Sequence, residues 1–237
     1  MLQTTHVTNQ PVHRREVKTY KLRRGRVTQS QAAAIEVFGS DFVWPAEGNP
    51  LNLPDDINPS LADIVVEIGF GMGEATAKIA ADQPELGVLA LDLHTPGVGR
   101  LISILNSQGS TNVRIIEGDA LEVLKARVAD ASLAGVRLFF PDPWPKKRHH
   151  KRRFVQPDNL NLVAQKVRLG GFLHIATDWP EYAEFAEEML LANPNWELYP
   201  EGGGQKWAQP NERPRTRFEQ RGMDAGRPIR DLVAKRI

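Results

Sequence analysis

IVVEIGFGMG (Ile64–Gly73) is a short β-branched run that ends in a glycine-rich turn, and Glu74–Ala81 behind it has helical composition. A strand that feeds a helix through glycines lets backbone come close to a ligand at the helix N-terminus. The dinucleotide fingerprint G-x-G-x-x-G would need glycine where Glu74 stands, so the pattern here is G-x-G-x-G through Gly69, Gly71 and Gly73. Taken alone, such a turn serves plain strand–helix packing equally well. Val88–Leu93 (VLALDL) adds weight to the binding reading, because Asp92 falls about 20 residues after the turn, where an acid accepts hydrogen bonds from ribose hydroxyls. Glu67 sits just before the turn, close to where a sulfonium or amino group would lie.

Outward from this unit, strand and helix alternate. Val113–Glu117 is a third strand, and Gly118-Asp119 opens a helical run, Ala120–Ala129. Asp119 is either the N-cap of that helix or a contact to an adenine amino group. Val136–Phe140 is a fourth strand, Gln156–Arg168 an amphipathic helix and Phe172–Ala176 a fifth strand. Asp178 then either caps the helix Glu181–Leu191 or adds a carboxylate to the rim of a cleft. Trp196–Tyr199 and Ile229–Ile237 read as the last strands, with a long loop between them. The alternation predicts an α/β fold: an open, mostly parallel sheet with helices on both faces and ligands at the carboxyl ends of its strands.

The fourth strand runs into LFFPDPWPKKRHHKRR (Leu138–Arg153). Residues before proline favour extended backbone, so Phe140, Asp142 and Trp144 are expected to be extended, with Asp142 and Trp144 on one side. A carboxylate and an indole on a stiff rim suit a planar ring that carries N–H donors. The cations that follow, Lys146, Lys147, Arg148, Lys151, Arg152 and Arg153, repel one another unless an anion spans them, and phosphate backbone is the usual partner. A solvated basic helix start is the plain alternative. Arg213, Arg215 and Arg217 alternate, which in an extended loop places them on one face.

Residues 1–30 hold Arg14, Arg15, Lys18, Lys21, Arg23, Arg24 and Arg26 against Glu16 and show no periodicity, so a flexible basic arm is expected. A short helix over Gln29–Phe38 joins it to the core, and Gly39–Ser60 reads as a loop. This divides the chain into residues 1–40, arm and short helix, and one domain over 41–237. With 237 residues, 41% of them hydrophobic, the chain is long enough for one sizeable core. Absence of cysteine excludes disulfides, thiolate metal sites and a thiol nucleophile. No apolar run has membrane-spanning length, and a cytoplasmic protein is expected. His149 and His150 have no carboxylate close in sequence, so no metal site is expected. Trp44, Trp196 and Trp207 are read as packing.

Five segments together carry a resemblance: Glu67–Gly73, Asp92–Gly99 (DLHTPGVG), Phe140–His149, Ala176–Trp179 (ATDW) and Arg215–Gly222 (RTRFEQRG). In this order they resemble the bacterial tRNA (guanine-N7-)-methyltransferases, with KLRRGR (Lys21–Arg26) similar to that family's N-terminal arm. The resemblance implies a Rossmann-like class I fold on a seven-stranded sheet, S-adenosylmethionine as cofactor and methylation of the variable-loop guanine of tRNA. It implies cofactor contacts at Glu67, Gly69, Gly71, Gly73, Asp92, Asp119 and Asp142, with Asp142 also catalytic. It implies substrate contacts at Lys146, Asp178, Thr216, Arg217, Phe218 and Glu219, and a monomer or homodimer without an obligatory protein partner. Asp92 departs from the glutamate that the family often has. Three rival readings stand beside it: a nicotinamide oxidoreductase, disfavoured by the missing third fingerprint glycine, a methyltransferase acting on another RNA, and a catalytically silent RNA-binding protein.

Overall fold

The computed structural model describes residues 17–21, 25–199, 214 and 216–237, except for the side chains of 217 and 218. The strands are β1 (Val43–Trp44), β2 (Asp63–Ile68), β3 (Leu86–Asp92), β4 (Val113–Glu117), β5 (Leu133–Phe139), β6 (Val167–Thr177), β7 (Trp196–Leu198) and β8 (Arg230–Arg236). The helices are α1 (Gln29–Phe42), α2 (Glu74–Asp82), α3 (Thr95–Gln108), α4 (Ala120–Arg127), α5 (Pro157–Lys166), α6 (Pro180–Leu191) and α7 (Arg217–Asp224), with a 3-10 helix over Lys147–Arg152.

All eight strands join one sheet in the order β1-β4-β3-β2-β5-β6-β8-β7. The pairings from β1 to β6 are parallel, while β8 runs antiparallel to both β6 and β7. The sheet therefore has one strand more than expected, the extra one being β1 in what reads as a loop. It is two residues long, too short for any periodicity to declare it. β2 lies at the middle, with β3 and β4 laid outward on one side before the chain crosses back to place β5 on the other. That reversal opens a crevice over the carboxyl ends of β2 and β5.

The central strands read as continuous apolar runs because both faces of the sheet are covered. On one face Val88, Ala90 and Ile115 pack with Ala77 of α2, Leu101 of α3 and Phe42 of α1. On the other, Leu89, Leu91, Val136 and Leu138 pack with Leu124 of α4, Leu160 of α5 and Tyr182 of α6. Trp196 is buried in this second layer, as expected, while the partly buried Trp44 has the Arg114 guanidinium 5.6 Å from its ring centroid. Trp207 lies outside the described residues.

α3 is not legible in the sequence pattern, because glycines at 97 and 99 count against a helix. The structure shows what Gly97 does: a Cβ there would lie 1.8 Å from the Gly71 carbonyl oxygen, so only glycine lets α3 seat against the turn after β2. α7 replaces part of the expected long loop. Arg217 begins this helix, so it does not belong to an extended run, and Arg213 and Arg215 lie outside the described residues. The signal for α7 was present as Thr216-Arg-Phe-Glu219, a capping-box sequence whose reciprocal hydrogen bonds the structure contains.

Candidate active site

A cavity of about 420 Å³ opens over the crevice and is lined by the segments that follow β2, β3, β4 and β5. Its floor is the glycine turn, where Gly69, Gly71 and Gly73 have φ of +78°, +61° and +76°. Three left-handed residues within five positions explain the G-x-G-x-G spacing, since side chains would strain each of them. The turn is held from β3: Asp92 Oδ2 accepts the Gly71 N–H at 2.7 Å, and Oδ1 accepts the Leu93 and His94 N–H groups at 2.7 and 3.1 Å. Asp92 thus braces the turn as well as lining the cavity, a role its position in sequence does not reveal. Burial raises its pKa against these three hydrogen bonds and the nearby His94.

Glu67, at the end of β2, is buried, lines the cavity, and its Oε2 has no hydrogen-bond partner. Burial raises its pKa, with Arg137 on β5 opposing. Thr76 of α2 faces the carboxylate and also lowers that pKa, although its hydroxyl stops short of hydrogen-bond geometry. A buried acid with an unsatisfied oxygen facing a cavity suits a cationic ligand group. Asp119 is the N-cap of α4, with Oδ1 accepting the Leu121 N–H; it also lines the cavity, where its Oδ2 pairs with Lys18 Nζ at 3.1 Å.

The Pro-Asp-Pro-Trp rim departs from expectation. Phe140 and Trp144 are left-handed, with φ of +52° and +44°, not extended. Phe140 still donates its N–H to the Ala176 carbonyl at 2.7 Å, and past it the chain bends instead of running straight. Asp142 is left on the cavity wall while Trp144 is 3% exposed, so the two do not share an open side and the indole is no platform for a base. The arm occupies it instead. Trp144 Nε1 donates to the Thr19 carbonyl at 3.1 Å, the Arg152 guanidinium stacks 3.8 Å from the indole centroid, and Lys21 Nζ lies 5.0 Å from it. Arg152 also donates to the Lys18 and Tyr20 carbonyls at 2.9 and 3.1 Å, and the Lys21 N–H donates to Asp142 Oδ2 at 3.1 Å. Residues 19–21 thereby become part of the cavity wall, which no local pattern could have shown.

The basic cluster divides by burial. Arg153 is 2% exposed, donates to the Pro143 carbonyl and lies over the Phe185 ring, so it belongs to the core. Lys146, Lys147, Arg148 and Lys151 stay exposed. Lys146 precedes the 3-10 helix and does not reach the cavity lining, nor does Asp178. Asp178 Oδ2 accepts from Arg227 Nε and Nη2 at 2.9 and 2.7 Å, fastening the segment after α7. Thr216 lines the cavity and caps α7, and Glu219 completes the capping box. Arg221, one turn along α7, also lines the cavity. The side chains of Arg217 and Phe218 lie outside the described residues.

Residues 62–232 match a family model described as "Putative methyltransferase". Over 223 residues, 94% of this chain, the sequence is 44% identical to the tRNA (guanine-N(7)-)-methyltransferase of Streptomyces avermitilis, covering 76% of that protein. It is also 44% identical over 223 residues to the tRNA (guanine-N(7)-)-methyltransferase of Thiobacillus denitrificans, covering 96% of it. The chain belongs to the tRNA (guanine-N7-)-methyltransferase family. The architecture is shared more widely. The aminoglycoside resistance methyltransferase NpmB1 superposes with a TM-score of 0.53 at 14% identity, covering 77% of this chain and 91% of that one. The 16S rRNA methyltransferase KamB superposes with a TM-score of 0.52 at 17% identity, covering 80% and 95%. The glycine turn and the Pro141-Asp142 part of the rim thus meet at one cavity on a sheet whose fold these methyltransferases share.

Proposed function

We propose that this chain methylates N7 of a guanine in the variable loop of tRNA, using S-adenosylmethionine, as a cytoplasmic enzyme that works as a monomer or homodimer. The observation that carries the reading is the convergence of Glu67, the glycine turn and Asp142 on one cavity in a chain 44% identical to enzymes of that name. The residues fit the cofactor. Glu67, with its unsatisfied buried oxygen, would take the cationic end. The backbone of Gly69, Gly71 and Gly73 allows close approach, and Asp92 and Asp119 would receive ribose hydroxyls and an adenine amino group. The cofactor supplies an electrophilic methyl on a sulfonium.

N7 of guanine has a free lone pair and no proton, so the protein need not provide a general base. What remains is orientation of the ring and balance of the positive charge that builds on the purine. Asp142 is the one rim carboxylate on the cavity wall, and it would accept N–H donors of the guanine and offset that charge. Lys146 with the neighbouring exposed cations, Asp178 and the Thr216–Glu219 segment would hold the RNA around it.

The test is incubation of purified protein with unmodified tRNA and methyl-labelled S-adenosylmethionine, then digestion to nucleosides. Labelled 7-methylguanosine, absent when the variable-loop guanine is replaced, is the expected product. Label on another nucleoside would leave the fold standing and overturn the guanine-N7 specificity, and cofactor binding without any label would favour a silent RNA-binding protein.

A further inference from the structure

Glu67 is one end of a polar row that crosses the sheet beneath the cavity. In register, Glu67 of β2 pairs with Arg137 of β5, and Arg137 pairs with His174 of β6. His174 Nε2 lies 2.7 Å from Asp231 Oδ1 on β8, so the row ends on a second carboxylate. All but Asp231 are buried to 4% exposure or less, and each of these three is flanked along its strand by buried apolar residues. Arg137 does not line the cavity. Its guanidinium lies 5.9 Å from the Phe172 ring centroid, and its Nη1 has no hydrogen-bond partner. A buried guanidinium without full hydrogen bonding costs several kcal/mol, so its place here calls for a reason.

We propose that Arg137 is a positioning residue for the cofactor: paired in register with Glu67 on the neighbouring strand and outside the cavity lining, it favours the carboxylate form that receives the cofactor's cationic end. This rests on the methyltransferase reading. The groups facing Glu67 are Asp92 from β3, which disfavours its charge, Thr76 from α2, and Arg137, the one cation among those that act on it. His174 with Asp231 stands on the other side of Arg137. Burial favours the neutral form of Glu67, and a neutral acid attracts an ammonium or a sulfonium far less than a carboxylate does. Arg137 opposes burial from a place outside the cavity lining.

The test is calorimetric titration of wild type, Arg137→Met, Arg137→Gln and Arg137→Lys with S-adenosylhomocysteine, which keeps the ammonium. 5′-Methylthioadenosine, which lacks it, is the second ligand. At pH 7 the two neutral variants should bind S-adenosylhomocysteine at least about tenfold more weakly, the equivalent of one unit of pKa. The loss should shrink as pH rises and Glu67 ionises without help. Arg137→Lys should bind nearly as wild type, and methylthioadenosine affinity should not change in any variant. In a Glu67→Gln background, Arg137→Met should weaken binding no further. Equal S-adenosylhomocysteine affinity for wild type and Arg137→Met overturns the proposal, as does an equal loss for both ligands, which would mark a packing defect. If Arg137→Met melts before titration, Arg137→Gln decides by the same two comparisons. A wild-type protein that binds methylthioadenosine but not S-adenosylhomocysteine also overturns it, whereas one that binds neither overturns the methyltransferase reading itself.

Discussion

Asp142 sits where the rim bends, one residue from each of two prolines that restrict its backbone, and the proposed role in orienting a ring makes a prediction. Asp142→Ala should lower kcat/KM for tRNA by about 100-fold or more, the range for loss of one electrostatic stabiliser, and by more than it lowers S-adenosylhomocysteine affinity. Steady-state kinetics beside a binding titration checks this, and near-normal turnover would remove Asp142 from the chemistry. Glu67 gives a second prediction, in stability. Its folded pKa is raised above 4.5 by burial, so the folded state holds the proton more tightly than the unfolded chain. The corresponding stabilisation is complete below pH 4.5 and is lost as pH rises through the folded pKa. Ligand-free wild type should therefore lose stability relative to Glu67→Gln as pH increases from 4.5, seen as converging or crossing melting curves. Parallel curves would mean an unshifted Glu67.

Among the elements, the arm segment Val17–Lys21 and α3 behave differently. Five hydrogen bonds help tie the segment down, at roughly 1 kcal/mol each, and with about one more from Lys21 over Trp144 they come to about 6 kcal/mol. Ordering five residues costs roughly 5–10 kcal/mol. The balance is near zero, so Arg152→Ala should release the segment and leave the sheet unchanged. Amide hydrogen exchange would show faster exchange at 17–21 and unaltered protection in β2 and β5. α3 has no such slack. Gly97→Ala would press a methyl group into the Gly71 carbonyl, so melting should reveal a loss of about 1–3 kcal/mol or more together with weakened cofactor binding.

These elements also divide what could be read in advance from what could not. β2, β4 and the glycine turn were legible because a doubly covered parallel strand is a bare apolar run and a left-handed turn demands glycine at fixed spacing. α3 was not, because its glycines answer to a carbonyl in another element. The left-handed Phe140 and Trp144 were not, because the local rule for residues before proline favours extension and tertiary contacts overrode it. The cavity-lining role of Thr19–Lys21 depends on partners more than 100 residues away, beyond any pattern.

For the whole molecule, a net charge of +1 conceals a one-sided distribution, since four cations of the run after the rim remain exposed once Arg152 and Arg153 are committed to the fold. Replacing Lys146, Lys147, Arg148 and Lys151 with alanine should weaken tRNA binding and flatten its salt dependence, by about 0.7–0.9 in the slope of log K against log salt for each phosphate no longer neutralised. Filter binding across a salt series measures this, and an unchanged slope would place the RNA elsewhere. The strand order has its own consequence for how the protein is made. β8 follows every other described strand in sequence, yet it lies inside the sheet, as the sole partner of β7 among the described residues and the outer neighbour of β6. Until residues 230–236 emerge, the growing chain carries an open strand edge, a template for wrong pairing with other nascent chains. The sheet therefore cannot close until residues 230–236 have been made, and a chain cut short before residue 230 would be aggregation-prone, not a smaller enzyme.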